Sequence, residues 1–127
     1  MISIRRFEDL EVWQKSRQLV QSVYRLSSAG ELARDFGLRS QLRRAAVSVM
    51  PNIAEGFERG GNKEFVRFLV MAKGSCGEVR SQLYVGLDQS YISQLEFEAV
   101  GTKATEVSRM VSGLIKSLRS AAERDAE

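Results

Sequence analysis

Apolar and polar residues along this chain recur with the period of an α-helix. The richest pattern lies in residues 40–83, where apolar residues stand three or four positions apart. In its first half the apolar positions are Leu42, Ala45, Ala46, Val49, Ile53 and Phe57. A parallel polar set consists of Arg44, Ser48, Asn52 and Glu55. At about 100° per residue the polar set forms one stripe beside the apolar face, so the pattern predicts a helix with a polar seam.

This helix is the second of four predicted helices. We expect it to begin at Glu31 or Asp35 and to end near Phe57. Pro51 lies inside it, has no N–H to donate, and carries a ring that clashes with the carbonyl group four residues earlier. The sequence therefore predicts that the helix kinks or stops near Met50.

The polar stripe offers partners for the backbone groups that such a kink leaves free. We predict that Ser48, Asn52 and Glu55 form a hydrogen-bonded node that locks the kink. Glu55 is expected to pair with Arg44 or with a backbone amide group. Catalysis by Glu55 is the alternative, and it requires a second group converging on the same pocket.

The first helix is predicted to begin near Asp9, whose carboxylate can cap it, and to end before Gly30. Two apolar sets cover different sides of this helix. They are Leu10, Trp13, Val20 and Tyr24, and Val12, Leu19, Val23 and Leu26. Together they exceed the ~100° arc that a surface helix normally buries. Either the helix lies between two neighbours of its own chain, or one set meets a second subunit.

The Gly60-Gly61 pair predicts a tight turn that ends the second helix, and Asn62 is a suitable N-cap for the third. The predicted buried face of the third helix comprises Phe65, Phe68, Leu69, Ala72, Cys76, Val79 and Leu83. Gly74 and Gly77 also lie in it, where each glycine costs about 1 kcal/mol relative to alanine. We predict that another helix approaches closely there. A break in the helix is the alternative.

Ser93 and Glu96 have the spacing of a capping box and predict the start of a fourth helix. Its apolar positions are Phe97, Val100, Ala104, Val107, Val111, Leu114 and Leu118. Four helices with short turns predict an all-α fold, an up-down-up-down four-helix bundle with a kinked second helix. We expect a single domain over residues 1–127, with a short N-terminal arm at residues 1–7 and a frayed tail at residues 120–127.

Three stretches of the sequence resemble a known family. They are FEDLEVWQKSRQL near the N-terminus, RRAAVSVxxNIAEGxxR from Arg43, and KEFxxFLxxAxGSxxExxxQL from Lys63. As far as about Leu118, the chain resembles the four-helix bundle proteins encoded by intervening sequences of bacterial large-subunit rRNA genes. In that family a proline directly follows the Ser-Ile pair, whereas here Met50 has that position and Pro51 comes next.

The resemblance implies a cytoplasmic, ring-shaped homo-oligomer, such as a pentamer, with no established enzymatic activity. It also implies a relation to the accessory variability determinant proteins of diversity-generating retroelements, which bind nucleic acid. RNA or DNA is therefore an expected ligand, and another protein is the other expected partner.

Composition narrows the chemistry that this chain can perform. Histidine is absent, which removes the usual general base and the commonest zinc ligand, and Cys76 is the only cysteine. Glu55 and Glu78 are the most suggestive carboxylates, but neither has a catalytic partner in its motif. We expect no enzymatic activity, no cofactor and no metal. Early charged residues argue against a signal peptide and no apolar run spans a bilayer, so we expect a cytoplasmic protein without a membrane partner.

Basic residues are the better functional candidates. Nineteen Lys and Arg against sixteen Asp and Glu give a net charge of +3 and a pI near 9.3, which permits nucleic-acid binding without requiring it. The candidate phosphate ligands are Arg5, Arg6, Arg39, Arg43, Arg59, Lys63 and Arg67. If the second and third helices are antiparallel, Arg59, Lys63 and Arg67 gather near one end of the bundle. The alternative is that these cations are simply solvated.

Two functions follow from these features. The leading hypothesis is a non-enzymatic oligomeric helical module that binds RNA or a ribonucleoprotein partner through repeated basic surfaces. The alternative is a homo-oligomeric protein–protein interaction scaffold with no nucleic-acid role. A salt titration separates them, because only the first predicts salt-sensitive retention of RNA.

Overall fold

The computed structural model describes residues 4–126, with side chains described through residue 124. Its elements are a 3-10 turn (Phe7–Asp9) and the helices α1 (Glu11–Leu26), α2 (Gly30–Arg34), α3 (Phe36–Glu58), α4 (Asn62–Asp88) and α5 (Gln94–Ala126). No strand occurs in this range, so the prediction of an all-α fold is confirmed.

One hydrophobic core joins these helices. α3 packs against α4, α4 packs against α5, and α1 packs against both α3 and α5, while the short α2 lies on α3. The largest side chains with almost no exposed surface are Leu19, Leu32, Leu42, Ile53, Leu69 and Leu83. All five helices contribute to the core, because the long ones carry apolar residues three or four positions apart and α2 supplies Leu32.

The predicted second helix is divided into α2 and α3. Asp35 lies between them with φ −87° and ψ 89°, outside the helical region. Its Oδ1 atom accepts a hydrogen bond from the backbone N–H of Leu38 at 3.0 Å. An aspartate in this position satisfies one of the N–H groups that a new helix leaves free, so α3 begins after the later of the two predicted starts.

α3 continues through Pro51 to Glu58, so the predicted stop near Met50 does not occur. Close to the proline, a side chain supplements the backbone hydrogen bonds. The Nδ2 atom of Asn52 donates to the carbonyl oxygen of Ser48 at 2.8 Å. This bond does not replace the one that Pro51 cannot donate, because the carbonyl group that loses its donor is that of Val47.

Two predicted caps are not formed. Asp9 belongs to the 3-10 turn, and α1 begins after Leu10 without a side-chain cap. Asn62 is already the first helical residue of α4, and the residue at its N-cap is Gly61. A capping side chain must belong to the extended residue just before the helix. Both predicted residues miss that position, Asp9 by lying too early and Asn62 by lying too late.

The capping box at the start of α5 is confirmed. The backbone N–H of Glu96 donates to Ser93 Oγ at 3.0 Å, and the backbone N–H of Ser93 donates to Glu96 Oε1 at 2.9 Å. These reciprocal bonds fix where α5 begins.

The close contact between helices lies at Gly56 and not at Gly74 or Gly77. A Cβ atom on Gly56 would lie 2.7 Å from the Cβ of Phe68 and 3.1 Å from the Cδ1 of Phe65. On Gly74 or Gly77 it would have no atom within 4 Å. The predicted close approach at the latter two is therefore wrong within the chain, because they face away from the core. The alternative break is also absent, since α4 is continuous.

Most of the apolar side chains in the wide arc of α1 are covered by other helices of the same chain. Val12, Leu19 and Val23 are buried. Leu10, Trp13, Val20 and Leu26 are partly buried and pack against the core. Tyr24 is more exposed, and the guanidinium carbon of Arg43 lies 4.3 Å from the centre of its ring. The arc by itself therefore does not require a second subunit.

The ends of the described range differ in structure. Residues 120–126, for which the sequence predicts fraying, are helical in α5. Of the predicted arm, residues 4–6 are exposed, while residues 1–3 and 127 lie outside the described residues. None of the helices in the described range is both long and apolar enough to cross a membrane.

Candidate nucleic-acid interface

The first two predicted phosphate ligands, Arg5 and Arg6, are exposed ahead of the 3-10 turn. A carboxylate oxygen of Glu8 lies 3.3 Å from Arg6 Nη2. Exposed ion pairs of this kind contribute at most about 1 kcal/mol. Glu8 therefore lowers the local positive charge without fixing Arg6 in place.

Arg39 and Arg43 are engaged within the fold. Arg39 Nη1 donates to the carbonyl oxygen of Ala33, in α2, at 2.8 Å. Arg43 Nε donates to Ser27 Oγ at 2.7 Å, and Arg43 Nη2 donates to Ser28 Oγ at 3.1 Å. These bonds hold α2 and the end of α1 against α3. Both arginines are half-buried, so their donors are partly committed before any phosphate arrives.

Arg59 and Arg67 come together over the ring of Phe68. Their guanidinium carbons lie 5.2 Å and 4.8 Å from its centre. Arg59 pairs with Glu55 at 2.9 Å, and Arg67 pairs with Glu64 at 3.1 Å. The hydrogen bond that Arg59 donates to Glu55, together with the negative charge of Glu55, raises the pKa of Arg59. Arg59 and Arg67 are two of the three cations predicted to gather at one end of the bundle. Their charges are offset by Glu55 and Glu64.

The residues of the predicted polar node do not form one network. Ser48 and Asn52 are linked by a hydrogen bond, whereas Glu55 pairs with Arg59. The hydroxyl oxygen of Ser48 lies 2.6 Å from that of Ser75, so a hydrogen bond joins α3 to α4 there. Asn52 adds its bond to the Ser48 carbonyl oxygen. Glu55 pairs with Arg59 instead of Arg44, because residues four apart on a helix are neighbours. Arg44 is exposed and has no ion pair with the described residues.

A third surface follows the boundary between α4 and α5, where three depressions lie along the two helices, and we call this surface the α4–α5 groove. At one end it is lined by Lys63, Leu118 and Arg119, and next to this stretch Lys73 lies with Lys116 and Arg119. At the other end Arg80 and Arg109 face it. Its six cations are Lys63, Lys73, Arg80, Arg109, Lys116 and Arg119.

Within residues 4–124, the cations of the α4–α5 groove are free of carboxylate partners, as Arg5 of the predicted set also is, whereas Arg6, Arg59 and Arg67 are ion-paired. None of the six forms an ion pair with another residue of the described part of the chain. The groove is also lined by Glu98, Glu106 and Glu123. Glu106 pairs at 3.5 Å with Lys15, a residue of α1. The groove therefore carries an excess of positive charge that is available to a ligand.

Sequence reasoning identified only Lys63 among the groove cations. Four of the other five have a signal in their spacing: Lys73 and Arg80 are seven residues apart, as are Arg109 and Lys116. A separation of seven places two residues on the same side of a helix. What the sequence lacked was the information that these two sides face each other across one groove.

An aromatic pair lies at the Arg80 end of the groove. The rings of Tyr84, in α4, and Phe97, in α5, are 4.8 Å apart between centres and inclined by 61°. This edge-to-face arrangement is a favoured geometry for two aromatic rings. The surrounding space has a volume of about 630 Å³.

The structure shows the surroundings of the three residues that the sequence offered for chemistry, Cys76, Glu55 and Glu78. Burial raises the pKa of the Cys76 thiol to about 11, although the charge of Arg80 lowers it slightly. A protonated, fully buried thiol is a poor nucleophile. Glu55 and Glu78 are both exposed. Within residues 4–124, no three His, Cys, Asp or Glu side chains are grouped so as to hold a metal ion.

Comparisons with known proteins identify relatives of this chain. A solved structure similar to it is a protein of unknown function from the S23 ribosomal protein family of Bacteroides thetaiotaomicron VPI-5482, determined at 1.70 Å resolution. The TM-score is 0.75 at 21% sequence identity, over 83% of this chain and 98% of that chain. At this identity the likeness shows a common fold alone. A search of curated proteins finds no match.

The family itself is shown by sequence. The family model described as 23S rRNA-intervening sequence protein matches residues 8–113, which include α1 to α4 and much of α5. The matched region contains the motifs that begin at Arg43 and Lys63. The chain therefore belongs to the 23S rRNA-intervening sequence protein family.

Proposed function

We propose that this chain is a non-enzymatic, cytoplasmic helical module that binds RNA through the α4–α5 groove. The observation that carries the proposal is the row of six cations without ion pairs on two facing helices. Lys and Arg side chains in a groove attract the phosphates of a nucleic acid, and binding releases the condensed counterions. The family description names the 23S rRNA intervening sequence and no ligand, so the proposal rests on the cations of the groove.

The proposal moves the main contact surface away from the cations singled out in the sequence. Arg39 and Arg43 hold the fold together, while Glu55 and Glu64 offset the charges of Arg59 and Arg67. Arg39 and Arg43 line a different surface, together with Tyr24 of α1. Lys63 is the one residue that belongs to both the predicted set and the groove.

The proposal includes assembly into a ring, with a pentamer favoured, in which each subunit is an up-down-up-down four-helix bundle with α2 as an added turn. An exposed stripe on α4 supports self-association. It consists of Val70, Gly74, Gly77, Ser81 and Val85, which are all exposed and follow one another at intervals of four, three, four and four. Val70 also lines the α4–α5 groove, so the stripe borders that groove. Val70 is 49% exposed and Val85 is 42% exposed. The two glycines allow a second backbone to approach, and a ring repeats each groove around its axis.

The relation to the accessory variability determinant proteins of diversity-generating retroelements belongs to the same proposal. The resemblance implies that those proteins bind nucleic acid, and the α4–α5 groove would give this chain a physical basis for the same activity. The present chain would then use a scaffold whose chemistry is limited to charge and stacking, without cofactor or metal.

The direct test is a salt titration of RNA binding. We expect the wild-type protein to bind a labelled mixed-sequence RNA pool with a log affinity that falls linearly with log salt. Fluorescence anisotropy measures both affinity and slope. Each neutralised phosphate contributes about 0.9 to the slope for a duplex and about 0.7 for a single strand. The Lys73→Glu/Lys116→Glu variant should therefore bind more weakly, with a slope shallower by roughly 1.4 to 1.8.

A matched control replaces two cations that do not line the α4–α5 groove. Arg25→Glu/Arg34→Glu changes the net charge equally, and both residues are exposed on α1 and α2. We expect this control to keep most of the affinity. Equal losses in the two double variants would show that binding depends only on net charge, and an unchanged affinity of Lys73→Glu/Lys116→Glu at low salt would reject the groove.

The exposed stripe of α4 also favours a second function, a homo-oligomeric protein–protein scaffold without a nucleic-acid role. In that case the wild-type protein shows no salt-sensitive retention of RNA. Substituting Gly74→Gln, which favours the helix but fills the stripe, then reduces the assembled mass measured by light scattering. RNA binding with an intact assembly would separate the two functions in favour of the first.

A further inference from the structure

The aromatic end of the α4–α5 groove has features that phosphate binding does not explain. The Tyr84 ring is 55% exposed at the surface of α4. Phe97 contacts it edge-to-face and is itself packed against the core. Tyr84 is thus supported by a partly buried neighbour while much of its own surface stays accessible. An accessible aromatic ring in a basic groove is a platform on which a flat group can stack.

Polar groups of both helices surround this platform. Arg80 and Arg109 carry positive charge on the two sides, and neither is ion-paired within the described range. Thr102 and Thr105 supply hydroxyl groups, and Glu98 supplies carboxylate oxygens. Together these side chains offer donors and acceptors at the edge of a stacked group and charge for an adjacent phosphate. A purely apolar partner would desolvate these polar groups without satisfying them.

The size of the space agrees with a small flat ligand. Its volume of about 630 Å³ lies within the ~300–1,000 Å³ that is typical of small-molecule sites. A base inside an RNA helix is stacked on its neighbours and cannot present its face to a protein ring without being flipped out. A base of a single strand can do so at little cost.

The geometry points to single-stranded RNA as the ligand of this groove, with one unstacked base on the ring of Tyr84 and the adjoining phosphates held by Arg80 and Arg109. This inference rests on the proposed function and specifies its substrate. Lys73 precedes Tyr84 by eleven residues in α4, a distance of about 16 Å along the helix. A short strand can therefore bind the platform and continue towards Lys73 and Lys116.

The test measures how three substitutions of Tyr84 change the affinity for one RNA, which is offered as a single strand and as a duplex. A labelled mixed-sequence oligonucleotide is titrated as a single strand and as a perfect duplex. We expect Tyr84→Ala to weaken binding of the single strand by about 5- to 150-fold, the range for losing one stacked base. Tyr84→Phe keeps the ring and should bind like the wild type. Tyr84→Leu keeps apolar bulk without the ring and should resemble Tyr84→Ala.

Two further readouts separate stacking from general weakening. The salt slope of Tyr84→Ala should equal that of the wild type, because no charge is removed. Duplex binding should be unchanged by all three substitutions. An oligonucleotide with a photoreactive base should also crosslink to the peptide that contains Tyr84, and mass spectrometry identifies that peptide.

The possible failures are distinguishable. If the wild-type protein binds neither form of the RNA, the proposed function fails and this inference fails with it. If both forms bind and Tyr84→Ala loses nothing, the groove binds phosphates but the base platform is rejected. If Tyr84→Ala alters the assembled mass and leaves RNA affinity unchanged, Tyr84 belongs to a protein contact, which also overturns the inference.

Discussion

Asp35 shows how a single residue can connect distant parts of this chain. Its Oδ1 accepts from the Leu38 backbone N–H at 3.0 Å, and its Oδ2 accepts from the Tyr91 hydroxyl at 3.2 Å. Tyr91 lies in the connection between α4 and α5. The bond to Asp35 and the charge of that carboxylate raise the pKa of Tyr91. One side chain therefore caps α3 and fastens a loop that is far away in the sequence.

Replacing Asp35 should reveal both roles. We expect Asp35→Ala to lower the free energy of unfolding by about 0.5–2 kcal/mol for the lost cap, and by a further ~0.5–1.5 kcal/mol for the lost hydrogen bond. Tyr91→Phe removes only the second contribution. Asp35→Asn keeps an effective cap and should cost less than Asp35→Ala. Urea denaturation measures all three, and an Asp35→Ala protein as stable as wild type would contradict the assigned roles.

Cys76 predicts how stability responds to alkaline pH. Its folded pKa of about 11 is raised above the ordinary value of 9.0 because burial disfavours the thiolate. The unfolded chain therefore releases this proton first. Stability that depends on the buried thiol is complete below pH 9 and is lost between pH 9 and 11. A shift of this size amounts to roughly 3 kcal/mol at most.

The measurement is a series of denaturation curves for wild type and Cys76→Ala from neutral pH to pH 11. The variant should be less stable at neutral pH, because truncation leaves a small cavity. It should nevertheless lose less stability across the alkaline range. Parallel pH dependences in the two proteins would show that Cys76 does not titrate as proposed.

At the scale of elements, glycine positions report where helices meet. Gly56 lies where α3 and α4 converge, and a methyl group there would overlap Phe68. We expect Gly56→Ala to destabilise the protein by about 1–3 kcal/mol, as overpacking usually does. Gly74→Ala is the matched control in open space, and its better helix propensity should raise the stability of a subunit by up to about 1 kcal/mol.

Thermal unfolding of the two variants under the same conditions compares these effects. Equal changes in melting temperature would contradict the assignment of Gly56 as the contact point. If Gly74→Ala instead reduces the assembled mass, the stripe on α4 lies at a tight subunit contact, which agrees with the proposed ring.

The sequence predicted the helices and their ends correctly where interactions between nearby residues determine them. Apolar spacing identified the long helices, and the capping box at Ser93 and Glu96 located the start of α5. The role of Gly74 was not readable, because spacing does not reveal which glycine faces a neighbour. The continuation of α3 through Pro51 agrees with the burial of Val49 and Ile53 on either side of it, and local rules do not include such packing.

At the scale of the whole molecule, the distribution of charge is more informative than its sum. A net charge of +3 is small. The structure divides the cations into those that support the fold, such as Arg43, those paired with carboxylates, such as Arg59, and those left free in the groove. The candidate site was only partly predictable, since Lys73 and Lys116 become neighbours only when α4 packs beside α5.

The length of α5 has a consequence for diversity among relatives. The family match ends at residue 113, but the helix continues to Ala126, and Lys116 and Arg119 belong to this extension. A homologue with a shorter final helix would retain the aromatic platform yet have fewer anchors for a polyanion. Natural truncation or growth of one terminal helix could thus adjust nucleic-acid affinity while the shared scaffold stays the same.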